Sequence, residues 1–79
     1  MQQFEGLNLN DNVKVIRDEK APWFDLEAHY EMDIVYFKVE KMDEDKYKIH
    51  SYNPLIGDDI EEDICSKEDA EQFINNGCY

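Results

Sequence analysis

The stretch from Asp33 to Tyr52 reads DIVYFKVEKM-DED-KYKIHSY. β-Branched and aromatic residues fill both arms, and the polar tripeptide Asp43 to Asp45 between them suits a turn. This pattern predicts a β-hairpin over residues 33–52. The rest of the chain is organised around it.

The predicted hairpin has a register that follows from its loop length. A three-residue loop places Met42 opposite Lys46, and the remaining cross-strand pairs follow. They are Phe37–Ser51, Val39–Ile49 and Lys41–Tyr47 on one face, and Tyr36–Tyr52 and Glu40–Lys48 on the other. The first face is mostly apolar, whereas the second joins opposite charges and two aromatic rings. A slip of one residue would lose both matches.

The C-terminal segment carries the signals of a short helix over residues 67–76. Ser66 is suited to the N-cap, and Asp69 stands three residues later, where it can reach back to the cap. Asn76-Gly77 is a typical C-terminal stop. The predicted buried stripe is Ala70, Phe73 and Ile74. We therefore expect a single α+β domain over residues 1–79: a small antiparallel sheet built on the hairpin, with a short C-terminal helix.

A shorter strand precedes the hairpin. Asp11-Asn12 leads into Val13-Lys14-Val15-Ile16-Arg17, in which Val13 and Val15 share one face. This segment resembles the first strand of SH3-like small barrels, where a long loop follows before a central hairpin. The resemblance implies a loop over residues 18–32 and a partly open barrel. Met32-Asp33 replaces the Gly-Asp that is usual in that family before the hairpin.

The segment from Asp18 to Met32 contains Trp23, the only tryptophan. Pro22 excludes a helix that runs through it, but it permits a short helix that begins there, with Trp23, Leu26 and Tyr30 on one face. Trp23 has two interpretations: a core residue that covers one mouth of the sheet, or an anchor at a protein interface, where tryptophan contributes strongly to binding.

Charge is the most informative property of the composition. Twenty acids oppose eight bases, which gives a formal net charge of −12. Such a charge repels nucleic acid and anionic membranes, and it favours partners with basic surfaces, which are mostly proteins that handle nucleic acid. Self-repulsion also predicts that stability rises with salt. No apolar run reaches membrane-spanning length and no signal-peptide pattern opens the chain, so we expect a cytoplasmic protein.

The acids concentrate in two clusters. The first is the hairpin tip, Asp43, Glu44 and Asp45, and the second is the run Asp58-Asp59-Ile60-Glu61-Glu62-Asp63-Ile64. The run reads equally as a helix or as an alternating strand. In either case we expect its isoleucines to point inward and its acids outward. The predicted partner-binding residues are Asp43, Glu44, Asp45, Asp58, Asp59, Glu61, Glu62, Asp63 and Trp23.

The sequence contains no convincing catalytic or metal-binding motif. Cys65 and either histidine could in principle form a nucleophile–base pair, but no glycine-containing elbow accompanies them. Cys65 and Cys78 lack the spacing of a zinc site, and the predicted helix between them separates them too far for a disulfide. An EF-hand loop that began at Asp58 would place Asp63 where glycine is needed. We therefore expect no enzymatic activity, no cofactor and no specific metal site.

Small size, one domain and strong acidity resemble the class of phage-encoded inhibitors, which includes acidic DNA mimics, the uracil-DNA glycosylase inhibitor and anti-CRISPR proteins. The resemblance implies an acidic protein that blocks the basic nucleic-acid-binding site of an enzyme in the host cytoplasm. Two alternatives stay open. One is an immunity protein for a nuclease toxin, and the other is an SH3-like adaptor or assembly module that binds through Trp23, Tyr36 and Tyr52.

Overall fold

The computed structural model describes residues 2–16, 24–55, 57 and 59–77. Within these residues the chain forms seven strands and one helix. They are β1 (Gln2–Phe4), β2 (Leu7–Leu9), β3 (Val13–Val15), β4 (Leu26–His29), β5 (Ile34–Asp43), β6 (Lys46–Tyr52), β7 (Glu61–Cys65) and α1 (Lys67–Asn76). β1 and β2 form a two-stranded sheet, and β3 to β7 form a five-stranded antiparallel sheet in chain order. The predicted α+β class is confirmed. The described strands form no closed barrel, because β3 and β7 stand at opposite edges of the larger sheet.

The central hairpin is formed by β5 and β6 in the predicted register. Five of the six predicted pairs, from Tyr36–Tyr52 to Lys41–Tyr47, are present. The predicted loop is wrong: Asp43, not Met42, pairs with Lys46, and the register shifts between Lys41 and Asp43. Met42 therefore forms a bulge, which leaves a two-residue turn at Glu44-Asp45. Neither turn residue has a positive φ, so the turn lacks the backbone twist of the favoured hairpin turns, and the bulge adds twist next to it.

A second hairpin, β1–β2, was not predicted. Glu5 and Gly6 connect its strands with φ angles of 53° and 87°, the left-handed pair that a tight two-residue hairpin turn requires. Phe4, Leu7 and Leu9 are buried, so this hairpin covers the core.

β4 replaces part of the predicted loop, and the suggested helix from Pro22 is wrong over Leu26–His29. Leu26 and Ala28 alternate with Glu27 and His29, and only the first pair is buried. Val13 and Val15 on β3 pair with Ala28 and Leu26, so a central strand separates β3 from β5. Pro22 and Trp23 lie outside the described residues.

Helix α1 has the predicted bounds and caps. The Ser66 hydroxyl accepts a hydrogen bond from the Asp69 N–H at 3.2 Å. Gly77 ends the helix with φ of 81°, and its N–H bonds to the Phe73 carbonyl. Ala70 and Ile74 are fully buried, and the Phe73 ring meets Phe37 edge-to-face with centroids 5.5 Å apart. The predicted stripe therefore packs on the sheet.

The core lies on one side of the five-stranded sheet, which we call the inner face, and the opposite side is the outer face. Buried side chains of the inner face meet the β1–β2 hairpin and α1. They include Val13, Leu26, Ala28, Phe37, Val39, Tyr47 and Ile49.

Two buried polar side chains form hydrogen bonds within the core. Asp25, which stands just before β4 begins at Leu26, is 2% exposed, and its carboxylate accepts a hydrogen bond from the Val39 N–H of β5 at 3.0 Å. The Tyr47 hydroxyl donates to the Glu5 carbonyl at 2.7 Å and so joins β6 to the first hairpin.

Candidate functional site

The acidic run forms an edge strand. Of the helix and strand alternatives, the strand is correct over β7, which pairs with β6 on one side and with no described strand on the other. Glu61, Glu62 and Asp63 are all exposed, as is Asp59. Asp58, like Trp23, lies outside the described residues.

The prediction that the isoleucines of this run point inward is wrong for Ile60 and Ile64, which are 48% and 54% exposed. Ile64 lies opposite Lys48, a residue of the outer face, whereas Cys65 lies opposite the buried Tyr47. The reason is the period of two in a strand: with Cys65 facing the core, Ile64 must face away from it. A spacing of four residues keeps two side chains together in a strand, but it does not decide which face they share.

The hairpin tip and β7 lie along the same margin of the molecule. β7 runs antiparallel to β6, with Asp63 opposite Ile49 and Cys65 opposite Tyr47. Ile49 is three residues from Lys46, the first residue of β6 after the tip. At about 3.3 Å per residue, Asp63 is therefore about 10 Å from the tip, measured along β6. The chain after β7 also returns to the tip, since the Asp45 carboxylate accepts a hydrogen bond from the Lys67 N–H at 3.2 Å.

Two further acids of α1 join this margin. Glu68 and Asp69 lie in the first turn of the helix and are exposed. Together, the residues that we call the acidic edge are Asp43, Glu44, Asp45, Asp59, Glu61, Glu62, Asp63, Glu68 and Asp69.

Neutralisation within the acidic edge is incomplete. Glu62 lies 3.6 Å from Lys48 Nζ and 3.7 Å from His50 Nδ1. Glu61 and Asp63, on the other side of β7, form no ion pair with any described residue. Side chains alternate along a strand, so the carboxylates of Glu61 and Asp63 lie about 6.6 Å apart along one side of β7 and that of Glu62 lies on the other side.

The outer face carries an aromatic cluster. The rings of Tyr36 and Tyr52, which the predicted register pairs, have centroids 6.4 Å apart. Phe24 lies 5.7 Å from Tyr36 and 5.9 Å from Tyr52. Phe24 was not among the predicted site residues. We call Phe24, Tyr36 and Tyr52 the aromatic cluster.

The possible Cys65–histidine pair is not formed. Cys65 shares the inner side of β7 with Glu61 and Asp63, whereas His50 is on the outer face beside Glu40 and Glu62. His29 lies on β4, three strands from β7 in the order of the sheet, and contacts Glu27 at 2.7 Å.

The fold raises the pKa of the Tyr47 phenol. Burial is the main cause, and the nearby charges of Glu5, Glu71 and Asp45 raise the pKa further. Because the residue is 1% exposed and its hydroxyl is bonded to the Glu5 carbonyl, the hydroxyl serves the structure and is not available for chemistry at the surface.

Among the described residues, no three His, Cys, Asp or Glu side chains converge in an arrangement that could hold a metal ion. No described helix is both long enough and apolar enough to span a membrane.

No family model, curated protein or solved structure matches this chain. What the chain binds is therefore inferred from its own residues.

Proposed function

We propose that this protein is an acidic inhibitor that binds the basic nucleic-acid-binding site of an enzyme and blocks it, as phage-encoded DNA mimics and anti-CRISPR proteins do. The observation that carries the proposal is the position of β7. Its three consecutive carboxylates stand on an exposed edge strand, two on one side and one on the other, and two of them have no ion pair with a described residue. A basic groove that accepts phosphates is a complementary surface for this strand.

The rest of the acidic edge extends the same charge. The tip residues Asp43 to Asp45 and the helix residues Glu68 and Asp69 lie beyond one end of β7, so a partner meets further negative charge there. Opposite charges on two proteins accelerate their encounter and suppress binding to acidic competitors. We expect the association to be weakened strongly by salt, since exposed charges farther apart than about 10 Å are largely screened at 0.1 M ionic strength.

A charge-neutralised variant tests this function. The edge variant, as we call it, combines Glu61→Gln, Glu62→Gln and Asp63→Asn. It removes three charges from β7 and retains side-chain size. The matched control, Glu5→Gln, Asp11→Asn and Glu31→Gln, removes three charges from exposed positions outside the acidic edge. Circular dichroism and thermal melting establish that both variants fold.

The readout is binding to nucleic-acid enzymes from lysates of candidate host bacteria. We expect the unaltered protein and the control variant to capture the same proteins, the edge variant to lose them, and duplex DNA to displace them. Each captured enzyme, once purified, should lose DNA binding when the unaltered protein is added. Capture that the edge variant retains in full, or that duplex DNA does not displace, contradicts the proposal.

A second candidate function is favoured by the aromatic cluster. Three rings within 6.4 Å of one another on the outer face offer the kind of surface that an SH3-like adaptor uses to bind an extended, proline-rich peptide. Tyr36→Ser with Tyr52→Ser separates the two candidates. Loss of partners in this variant, combined with normal capture by the edge variant, favours the adaptor.

A further inference from the structure

A cleft of about 520 Å³ opens between the inner face of the sheet and the C-terminal end of α1. This volume lies within the range of about 300–1,000 Å³ that is typical of ligand pockets. Apolar lining comes from Val35, Phe37 and Phe73. Phe73 is half-buried, in edge-to-face contact with the buried Phe37, so part of its ring is open to a ligand.

The polar lining of the cleft is electronegative. Three carboxylates line it, those of Asp33, Asp59 and Glu61, and none of its described lining residues is Lys, Arg or His. The C-terminal end of α1 also borders it, at Asn76 and Gly77. The last turn of this helix contains no basic residue, so the negative end of the helix dipole is not offset by the helix itself.

We propose that this cleft binds an arginine side chain of a protein partner. The aliphatic stem lies against Phe37 and Phe73, and the guanidinium group meets the carboxylate of Glu61, while Asp33 and Asp59 add to the negative field of the cleft. Arginine suits this lining better than lysine, because its planar cation stacks on aromatic rings and pairs with carboxylates through two parallel hydrogen bonds.

Glu61 connects this cleft to the acidic edge, since it belongs to both. It faces the inner side of β7 opposite Ser51, which also lines the cleft. A basic partner that lies along β7 can therefore place one arginine in the cleft while its other cations face the edge. That the partner is a basic protein rests on the proposed function. That the cleft binds arginine rests on the lining of the cleft alone.

The direct test uses arginine blocked at both ends, N-acetyl-arginine-N-methylamide, as the probe. It is titrated into the full-length protein labelled with ¹⁵N, and amide shifts are followed by NMR. We expect saturable shifts at Gly57, Glu61 and Phe73. The neutral citrulline analogue should cause none, because it retains the stem and loses the charge. Equal shifts with citrulline, or none with arginine, overturn the proposal, as does saturable binding of putrescine, a free diamine, in place of the arginine probe.

Two variants test the location of the site. Asp33→Asn removes one carboxylate of the cleft, and we expect the arginine probe to bind roughly two- to five-fold more weakly, the usual effect of one exposed ion pair. Glu68→Gln, at the other end of α1, is the matched control and should leave binding unchanged. Gly57→Leu adds an apolar side chain at the wall of the cleft without altering its charge. A Cβ at Gly57 meets no atom within 4 Å, so the substitution causes no clash, and we expect it to abolish the shifts by obstructing the cleft. Full binding by Gly57→Leu places the probe elsewhere and overturns the proposal.

Failure of this inference is distinguishable from failure of the proposed function. If the edge variant loses its captured enzymes while Gly57→Leu retains them all at full affinity, the inhibitor proposal stands and the arginine site is wrong. If the arginine probe binds the cleft as expected but the edge variant captures the same enzymes as the unaltered protein, the cleft stands and the inhibitor proposal is wrong.

Discussion

Replacement of Asp25 by alanine is the sharpest test of how this fold is held together. Asp25 precedes β4, its backbone N–H bonds to the Phe37 carbonyl at 2.8 Å, and its own carbonyl accepts from Ile16 at 2.9 Å. Its buried carboxylate then accepts a hydrogen bond from the Val39 N–H. β4 begins at Leu26, which pairs with Phe37, so no residue of β4 lies opposite Val39. The side chain thus takes the place of a missing strand residue.

The expected cost of Asp25→Ala follows from that contact. A hydrogen bond to a charged acceptor contributes about 1.5–3 kcal/mol, and a buried N–H left without a partner costs about 1–3 kcal/mol. These describe the same loss and do not add, so we expect unfolding to become easier by about 2–3 kcal/mol. Asp25→Asn keeps an oxygen that can accept from Val39 and loses the charge, so it should lose roughly half as much.

Equilibrium denaturation in urea, followed by circular dichroism, measures both variants. For a domain of this size, about 2–3 kcal/mol corresponds to a fall in melting temperature of roughly 10–20 °C. Asp63→Ala, an exposed acid on β7 without an ion pair to a described residue, is the control and should change stability by less than about 0.5 kcal/mol. A loss below about 0.5 kcal/mol for Asp25→Ala, or equal losses for alanine and asparagine, refutes the reasoning.

Three further predictions concern the cap, the buried phenol and the charge. Ser66→Ala should cost roughly 1 kcal/mol, because the Asp69 N–H loses its acceptor; an unchanged denaturant midpoint contradicts the cap. Tyr47 has a pKa raised above that of an unfolded tyrosine, so the unfolded state releases the proton first and stability should fall as the pH rises above about 10. Tyr47→Phe should lose less stability above that pH than the unaltered protein does. If the free energy of unfolding falls equally steeply with pH in both proteins, the raised pKa of Tyr47 is refuted. Added NaCl should raise the melting temperature of the unaltered protein more than that of the edge variant, since the variant carries less charge repulsion for the salt to screen. Equal increases in the two proteins would show that the destabilising repulsion does not come from the acidic edge.

The central hairpin and α1 were predictable because their signals are local. The register of β5–β6 matches an apolar face with an apolar face, but it was predicted from a three-residue loop. The predicted pairs are nevertheless correct, because the bulge at Met42 supplies the residue that the two-residue turn lacks. The caps of α1 are single side chains with fixed roles, so Ser66 and Gly77 mark its ends directly.

The β1–β2 hairpin and β4 were missed because their strands are short and their buried residues are few. β4 contributes only Leu26 and Ala28 to the core, and alanine is a weak strand former. Glu5-Gly6 in front of Leu7-Asn8-Leu9 was a usable turn signal, since Gly permits the positive φ that such a turn needs. These strands owe their formation to tertiary contacts with the sheet.

The candidate site was predictable in composition but not in placement. The two acidic clusters are visible in the sequence, yet only the antiparallel return of β7 along β6 brings Asp63 to the same margin as Asp45. The outward position of Ile64 depends on Cys65 facing the core, which is decided by packing against Tyr47 and not by spacing. The cleft depends on three strands and the end of α1, so no local pattern indicates it.

The open edge of β7 also bears on how copies of this protein behave towards one another. An exposed strand edge is a template on which a second chain can add a strand, and this is a common route to aggregation. Two β7 edges brought together would set Glu61, Glu62 and Asp63 of one copy against the same carboxylates of the other. We therefore expect the charges on β7 to oppose this pairing at neutral pH, and we expect the same edge to become prone to strand addition in strong acid, where the carboxylates take up protons.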